Sequence, residues 1–325
     1  MKAIVPTGGR GTRMQPLTFS VNKHFIPIAN KPLIFYPIEA VAEAGIKEIC
    51  VTYNPGYLEA VKMILADGRK WGVKITYVLQ EKPAGLANIV EVCERALGGE
   101  PFVLHLGDNI FTKGIKKEVA YFQKNKPNGL VTMIRHPENK RMGVPYFDKQ
   151  GRLTKYVEKP ANPPHDFAVP GLYFADANFF KMFAGKDRLV PSARGEFEIP
   201  DAYQWLIDHK YRIDVIEYGG KWLDPGKFGD WIEANEYLLD TRLVSCVPNK
   251  GISKSVIKNR VSIGDGVVIE NSHVENSVVM ERVKINNVKT PIDSSLIGAE
   301  TEVVRSEGPT RTHQLFVGNK CLIKL

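Results

Sequence analysis

The stretch Lys2-Ala3-Ile4-Val5-Pro6-Thr7-Gly8-Gly9-Arg10-Gly11-Thr12-Arg13 decides how the rest of the chain is read. Its first half is a short apolar run of strand type. Its second half places Gly8, Gly9 and Gly11 within four positions. Glycines let a backbone turn tightly and aim N–H groups at an anion. Thr12 adds a hydroxyl and Arg13 a cation, with Lys23 close behind. The Gly-Lys-Ser/Thr ending of a P-loop is missing, and the third glycine of the dinucleotide fingerprint would fall at Met14. A plain turn is the bland alternative. Two cations beside a glycine nest favour a polyphosphate instead.

Working outward, the same strand-then-loop pattern recurs. Residues 48–53, 74–79 and 102–106 read as strands, and 33–44, 58–65 and 86–97 as helices closed by Gly45, by loop, and by Gly98-Gly99. This β-α-β-α rhythm predicts a mostly parallel sheet with helices on both faces and a ligand beyond the carboxyl ends of its strands. The glycine loop and Gly107-Asp108 both follow strands, so they are expected to meet in space. Further strands are expected at 130–135, 151–157 and 167–174, and helices near 176–184, 199–209 and 231–239.

The texture changes after Val244. Ile257, Ile263 and Ile269 recur every six residues, and Ile263-Gly264-Asp265-Gly266-Val267-Val268 has hexapeptide-repeat form. Val274, Val279 and Ile285 continue the series irregularly, and Leu296-Ile297-Gly298 resumes it. Such a period indicates a parallel β-helix of a few coils, with ordinary short strands as the alternative. Pro248-Asn249 marks a linker near 245–251. Two domains follow, 1–244 and 245–325, in line with 325 residues at about 150 per domain.

Composition narrows the class. The chain is 25% charged and 43% hydrophobic, which excludes a disordered protein. There are 44 basic and 36 acidic residues, a net +8 that suits anionic ligands, or simply a solvated basic surface. No nucleic-acid-binding module is recognisable. No apolar run reaches membrane-spanning length, and the first residues do not form a signal peptide. Cys50, Cys93, Cys246 and Cys321 lie far apart without a CxxC pair, arguing against a zinc site and fitting a reducing cytoplasm. The seven histidines are scattered, so no covalent intermediate on the protein is indicated.

Four further segments are candidates for chemistry. Asp108, in Leu106-Gly107-Asp108-Asn109, is a carboxylate at the end of a buried strand, where magnesium is a natural partner beside a triphosphate; capping of the next element is the alternative. Asp224, in Trp222-Leu223-Asp224-Pro225-Gly226, is a second carboxylate able to share that metal, or part of a surface turn. Glu158-Lys159-Pro160 offers a grip on a phosphate and a sugar hydroxyl, or is a charged strand end. The segment 192–198, with Arg194, is a substrate loop or an entry to the next helix.

These motifs together resemble the sugar-phosphate nucleotidylyltransferases. The run Gly8 to Thr18 is similar to that family's signature. Asn22-Lys23-His24-Phe25-Ile26-Pro27 with Lys31-Pro32-Leu33-Ile34-Phe35-Tyr36, and Gln80-Glu81-Lys82-Pro83-Ala84-Gly85-Leu86-Ala87, look like its glucose-1-phosphate thymidylyltransferase branch. Leu106-Gly107-Asp108-Asn109, Val157-Glu158-Lys159-Pro160, Ala168-Val169 with Gly171-Leu172-Tyr173, and Arg194-Gly195-Glu196 follow in family order. The C-terminal repeats resemble the long form of these enzymes.

The resemblance implies a Rossmann-like, glycosyltransferase-A-like mixed sheet flanked by helices, followed by a short left-handed β-helix. It also implies a reaction: a hexose 1-phosphate, foremost glucose 1-phosphate, and dTTP give a dTDP-sugar and pyrophosphate. Arg13, Lys23 and Asp108 would be catalytic, and Asp108 with Asp224 would hold Mg2+. Gly8, Gly9, Gly11, Thr12, Arg13 and Asp108 would hold the nucleotide, with Gln80 and Gly85 reading the base. Asn109, Gly143, Glu158, Lys159, Val169, Gly171 and Arg194 would take the sugar phosphate. The chain departs from the family pattern at Met142, Pro145, Pro170, Pro200, Pro225 and Lys227, mostly on the sugar and metal side. A UTP-using uridylyltransferase and a nucleotide-sugar-binding regulatory protein are the alternatives. A β-helix that acetylates the sugar is disfavoured by its 75 residues, counting 251–325, and by the lack of a base histidine. Homo-oligomerisation is expected because the faces of a β-helix need cover.

Overall fold

The computed structural model describes residues 1–9, 11–242 and 251–305, with backbone alone for 241 and 242. The expected boundary at 244/245 and its linker as far as residue 250, together with Cys246 and Cys321, lie outside the described residues. The chain forms two compact units. The first comprises Met1–Gly9 and Tyr36–Trp222, the second Arg10–Phe35 and Leu223–Leu325.

The first unit is built on an eight-stranded mixed sheet. In chain order its strands are β1 (Lys2–Pro6), β2 (Glu48–Tyr53), β3 (Lys74–Leu79), β4 (Phe102–His105), β5 (Gly129–Arg135), then a separate hairpin of β6 (Gly143–Phe147) and β7 (Leu153–Glu158), then β8 (Phe167–Ala168), β9 (Leu172–Ala175) and β10 (Ile213–Glu217). The order is β8-β5-β9-β4-β1-β2-β3, with β10 also on β5. Strands β1 to β4 pair parallel, while β9 runs antiparallel between β4 and β5. Interior strands β1, β2 and β4 are buried on both faces, hence their unbroken apolar sequences. β3, at the sheet edge, begins with an alternation of exposed and buried residues.

Helices α1 (Phe35–Glu43), α2 (Leu58–Leu65), α3 (Leu86–Val92), α4 (Glu94–Leu97), α5 (Lys116–Asn125) and α6 (Ile199–Asp208) follow the strands. The expected helix at 86–97 breaks at Cys93 into α3 and α4. The one expected at 176–184 is a 3-10 helix, Ala177–Phe183, started by the Asp176 side chain accepting from the Asn178 N–H. The strand expected at 167–174 is two strands, because Val169-Pro170-Gly171 leaves the ladder between them. Cys50 and Cys93 are buried free thiols in the core. The hydrogen bond that the Cys93 thiol donates to Cys50, followed by burial, raises Cys93 well above its ordinary range.

The second unit combines α7 (Phe228–Arg242), the segment 11–35 and a three-sided stack of parallel strands. Register partners climb one side as Ile252, Ile269, Ile285 and Val303, and another as Ile263, Val279 and Ile297. Ile257 pairs with Val274 on the third. These are the six-residue series of the sequence, and they share one core. Corners of the coils are taken by left-handed residues, among them Asn259, Asn271, Asn276 and Asn287. Asparagine tolerates that conformation better than other residues with a Cβ. Asn271 donates from Nδ2 to Asn287 Oδ1 one coil on, at 2.7 Å. Trp231 of α7 is fully buried and its Nε1 donates to the Pro27 carbonyl at 2.9 Å. Among the described residues, no helix is long and apolar enough to cross a membrane.

Candidate active site

Parallel pairing of β1 with β4, Lys2 opposite Phe102 to Ile4 opposite Leu104, brings their carboxyl ends to one edge of the sheet. Gly8-Gly9 and Gly107-Asp108 therefore emerge side by side, as the topology requires. At this edge Gly8 comes close to two amides. A Cβ there would lie 2.9 Å from Asn54 Oδ1 and 3.7 Å from Gln80 Oε1. Gln80 is buried, and its Nε2 donates to Asn88 Oδ1 at 3.0 Å, while Asn88 donates in turn to Glu91 Oε2 at 2.9 Å. This relay from α3 fixes the amide plane and turns Gln80 Oε1, an acceptor, toward Gly8.

Gly85 meets a different constraint. Its φ is +98°, and a Cβ would stand 2.5 Å from the Phe197 carbonyl oxygen. Phe197 N–H donates to Ala84 O at 2.8 Å, and Ala87 N–H to Phe197 O at 3.0 Å. The loop before α6 is thus stitched to the segment 84–87. Within that loop Arg194 Nη2 donates to Glu198 Oε1 at 2.7 Å, and Ser192 Oγ to the same oxygen at 3.0 Å. Arg194 is committed to Glu198 inside its own loop.

Asp108 is half-buried past β4. Asn109 Nδ2 donates to Asp108 Oδ1 at 3.1 Å, and Asn109 Oδ1 accepts from Trp222 Nε1 at 3.0 Å. Trp222 is delivered there by the Thr112 N–H donating to Lys221 O at 3.0 Å. Gly171 closes the cluster: a Cβ there would be 2.3 Å from Leu106 Cδ1 and 2.6 Å from Asn109 Oδ1. Asn109 is 3% exposed with both amide atoms engaged, so its side chain orients Asp108 rather than facing outward.

The sugar-side candidates gather on the β6–β7 hairpin. Glu158 is the register partner of Gly143, and the Val169 N–H donates to Gly143 O at 2.9 Å. Lys159, in the left-handed region, donates its N–H to Met142 O at 3.0 Å and holds Nζ 3.0 Å from Glu158 Oε1. A Cβ on Gly143 would fall 2.5 Å from the Tyr156 hydroxyl, so glycine is required there. Val169 and Gly171 sit at the two ends of one tripeptide, which joins this cluster to Asp108.

The second unit carries Gly11, Thr12, Arg13, Lys23 and Asp224. Gly11 is left-handed at φ 55° and starts the 3-10 turn Thr12–Met14. Thr12 and Arg13 are exposed, whereas Lys23 is buried. A Cβ on Gly11 would be 3.3 Å from Lys23 Cβ, and one on Gly226 would be 3.5 Å from Arg13 Nη1. The turn Asp224-Pro225-Gly226, closed by Gly226 N–H to Asp224 O at 2.7 Å, is therefore the bed of the Arg13 guanidinium. Among the described residues no three or more His, Cys, Asp or Glu cluster as a metal site.

Asn54, Asn88, Phe197 and Trp222 were not legible as contributors from sequence. Their roles arise from pairings across the fold, and only the position of Trp222 before Asp224 offered a signal. His105 is another such residue. Its Nδ1 donates to Leu106 O at 2.9 Å, and Nε2 is buried without a partner. Burial pushes its imidazole down to about 4, against weaker opposing effects of the Leu106 carbonyl and Asp108. The unfolded chain protonates this ring near 6.5, so between the two values it binds more protons than the folded state, and stability falls as pH drops through that window. Between pH 7 and pH 5 this group removes roughly 2 kcal/mol. Urea unfolding of His105→Asn is expected to show that much less acid sensitivity than wild type; an unchanged slope would contradict it.

The sequence profile of the nucleotidyl transferase family matches residues 2–241. The chain belongs to that family, and it is a nucleotidyltransferase of the kind that makes nucleotide sugars. It is 31% identical to a glucose-1-phosphate thymidylyltransferase of Streptomyces griseus, over 98% of each chain. It is 33% identical, over the full length of both, to the low-salt glycan biosynthesis nucleotidyltransferase Agl11 of Haloferax volcanii. Among solved structures it is similar to a UDP-glucose pyrophosphorylase complexed with UDP-glucose, with TM-score 0.64 and 25% identity over 74% of this chain and 99% of that one.

Proposed function

We propose that the protein condenses a hexose 1-phosphate, glucose 1-phosphate foremost, with dTTP to give a dTDP-sugar and pyrophosphate. The observation that carries this reading is the convergence at one sheet edge of a glycine turn (Gly8-Gly9), an oriented carboxylate (Asp108) and, through Val169-Pro170-Gly171, the hairpin cluster of Gly143, Glu158 and Lys159. Residues 1–244 would carry the chemistry. The full-length likeness to thymidylyltransferases supports dTTP.

Both substrates are polyanions, so the protein's task is to hold them together and stabilise charge on the leaving group. Gly8, Gly9, Gly11 and Thr12 would cradle the triphosphate, and Arg13 and Lys23 neutralise the charge that builds on pyrophosphate. Gln80 Oε1 is an acceptor suited to the imide N–H of thymine or uracil. Gly85 keeps the base segment on Phe197. Glu158 would take sugar hydroxyls between Gly143 and Val169, with Lys159 on the phosphate and Arg194 beside them. A sugar-phosphate oxygen then attacks the α-phosphorus in line as pyrophosphate departs.

Asp108 and Asp224 would hold magnesium. Magnesium commonly takes one or two carboxylates, completing its shell with water and substrate phosphates, and Asp108, half-buried and oriented by Asn109, is a donor of that kind. When bound, the ion supplies charge neutralisation at the phosphates and a template for the attack. Asn109 and Trp222 hold the Asp108 carboxylate in its orientation. Trp222→Phe removes that relay's end, and the Mg2+ concentration for half-maximal rate is expected to rise about tenfold. An unchanged Mg2+ dependence would remove Trp222 from this role.

UTP is the second reading, favoured by the UDP-glucose pyrophosphorylase neighbour and by an amide that accepts equally from either base. The thymine methyl contributes about 1–3 kcal/mol of discrimination. Pyrophosphate release is measured with dTTP, UTP, ATP, GTP and CTP against glucose, galactose, glucosamine and N-acetylglucosamine 1-phosphates. The reading expects dTTP with glucose 1-phosphate to be fastest and UTP to follow within about 200-fold. Purine nucleotides as best donors would overturn it, and binding of nucleotide sugars without turnover would favour a regulatory protein.

A further inference from the structure

The segment 11–35 consists of three single 3-10 turns and a hairpin of two-residue strands, Pro27–Ile28 with Lys31–Pro32. Elements this short place Arg13 and Lys23 through what they pack against as much as through their own turns. The supports come from α7 and the β-helix. Asn235 of α7 is fully buried, and its Oδ1 accepts from the Ala29 N–H and from Ser262 Oγ, both at 2.9 Å. Its Nδ2 donates to Arg260 O at 3.2 Å. Asn30 Nδ2 donates to Ile263 O at 2.8 Å. One buried amide thus ties the hairpin to the first coil.

The second support lies farther along the β-helix. A Cβ on Gly298 would be 2.8 Å from Leu17 Cδ2, so Leu17 is seated on bare backbone. The next residue, Thr18, donates its hydroxyl to Gly11 O at 2.7 Å, and a Cβ on Gly11 would meet Thr18 Cγ2 at 2.8 Å. Two contacts therefore separate the β-helix from the glycine turn that precedes Arg13. Gly298 is outside the left-handed region, so the cost of a side chain there is the collision with Leu17.

We propose that the β-helix and α7 brace the nucleotide loop, with Gly298, Leu17 and Asn235 as positioning residues for Arg13 and Lys23. This rests on the function proposed above only for what the loop binds. The β-helix is then part of the machinery that shapes the phosphate site.

Amide hydrogen exchange of the full-length protein tests the brace without substrate. In Gly298→Val, the N–H groups of Met14, Phe19, Ser20 and Val21 are expected to exchange about tenfold faster, with β1 and β4 unchanged. Adding Leu17→Ala makes room for the valine and should return most of that protection. In the same preparations kcat and kcat/KM for dTTP are expected to fall together by about tenfold, because Arg13 and Lys23 act on charge that develops as pyrophosphate leaves. Wild-type exchange at those four amides overturns the proposal, and so does an acceleration shared equally by β1 and β4. Should Gly298→Val not fold, Asn235→Ser and Leu17→Ala carry the same measurement. If wild type turns over no nucleotide, the functional reading fails, while the exchange result still decides the brace.

Discussion

Asp108→Asn is expected to lower pyrophosphate release by at least about 10³-fold while leaving the melting temperature nearly unchanged. The exchange keeps size and an acceptor for Asn109 but removes the charge that would meet the metal. Asp108 sits past β4, and Asn109 Nδ2 donates to it at 3.1 Å, an interaction an amide oxygen also accepts. Folding therefore loses little, because the site is half-buried and the partner remains satisfied. Rates fall because charge developing at the α-phosphorus and leaving group loses its compensation. Measured rates within tenfold of wild type would show that Asp108 does not act at the reacting phosphates.

Gly85→Ala should damage both stability and nucleotide affinity. Two costs coincide: alanine at φ +98° is strained, and its methyl would stand 2.5 Å from the Phe197 oxygen and 2.8 Å from Phe197 nitrogen. Those atoms are backbone, held by two hydrogen bonds to 84–87, so they cannot swing aside. A strained non-glycine residue costs about 1–3 kcal/mol before any clash is counted. Relief requires the segment 84–87 to separate from the loop before α6, moving the residues next to Gln80. The expected result is a loss of at least about 3 kcal/mol in chemical unfolding and a KM for nucleotide raised well above wild type. Phe197→Ala retains the backbone contacts and should affect nucleotide KM far less.

Much of the first unit was legible in the sequence. The strands at 48–53 and 74–79 and the helix at 58–65 match the observed elements, because β-branched runs and helical spacing mark them directly. α5 went unread: it buries only Glu118, Val119 and Phe122 on an otherwise polar surface, so few apolar residues mark it in the sequence. The glycine loop and Asp108 could be placed together since both end parallel strands. By contrast, sequence gave no hint that residues 10–35 group with α7 and the β-helix. That grouping depends on single contacts such as Asn235 to Ala29 and Leu17 to Gly298, between residues far apart in the chain. Asn109 was expected on the sugar phosphate. Its engagement with Asp108 and Trp222 is a tertiary fact, and it recasts Asn109 as a residue that orients the carboxylate.

The most direct test of the account is the fate of oxygen in the reaction. Glucose 1-phosphate carrying ¹⁸O at all its phosphate oxygens is incubated with dTTP, Mg2+ and the full-length protein, and the products are weighed by mass spectrometry. In-line attack by the sugar phosphate predicts a dTDP-sugar that keeps every labelled oxygen and pyrophosphate that contains none. Label in the pyrophosphate, or pyrophosphate release without a nucleotide sugar, would contradict it.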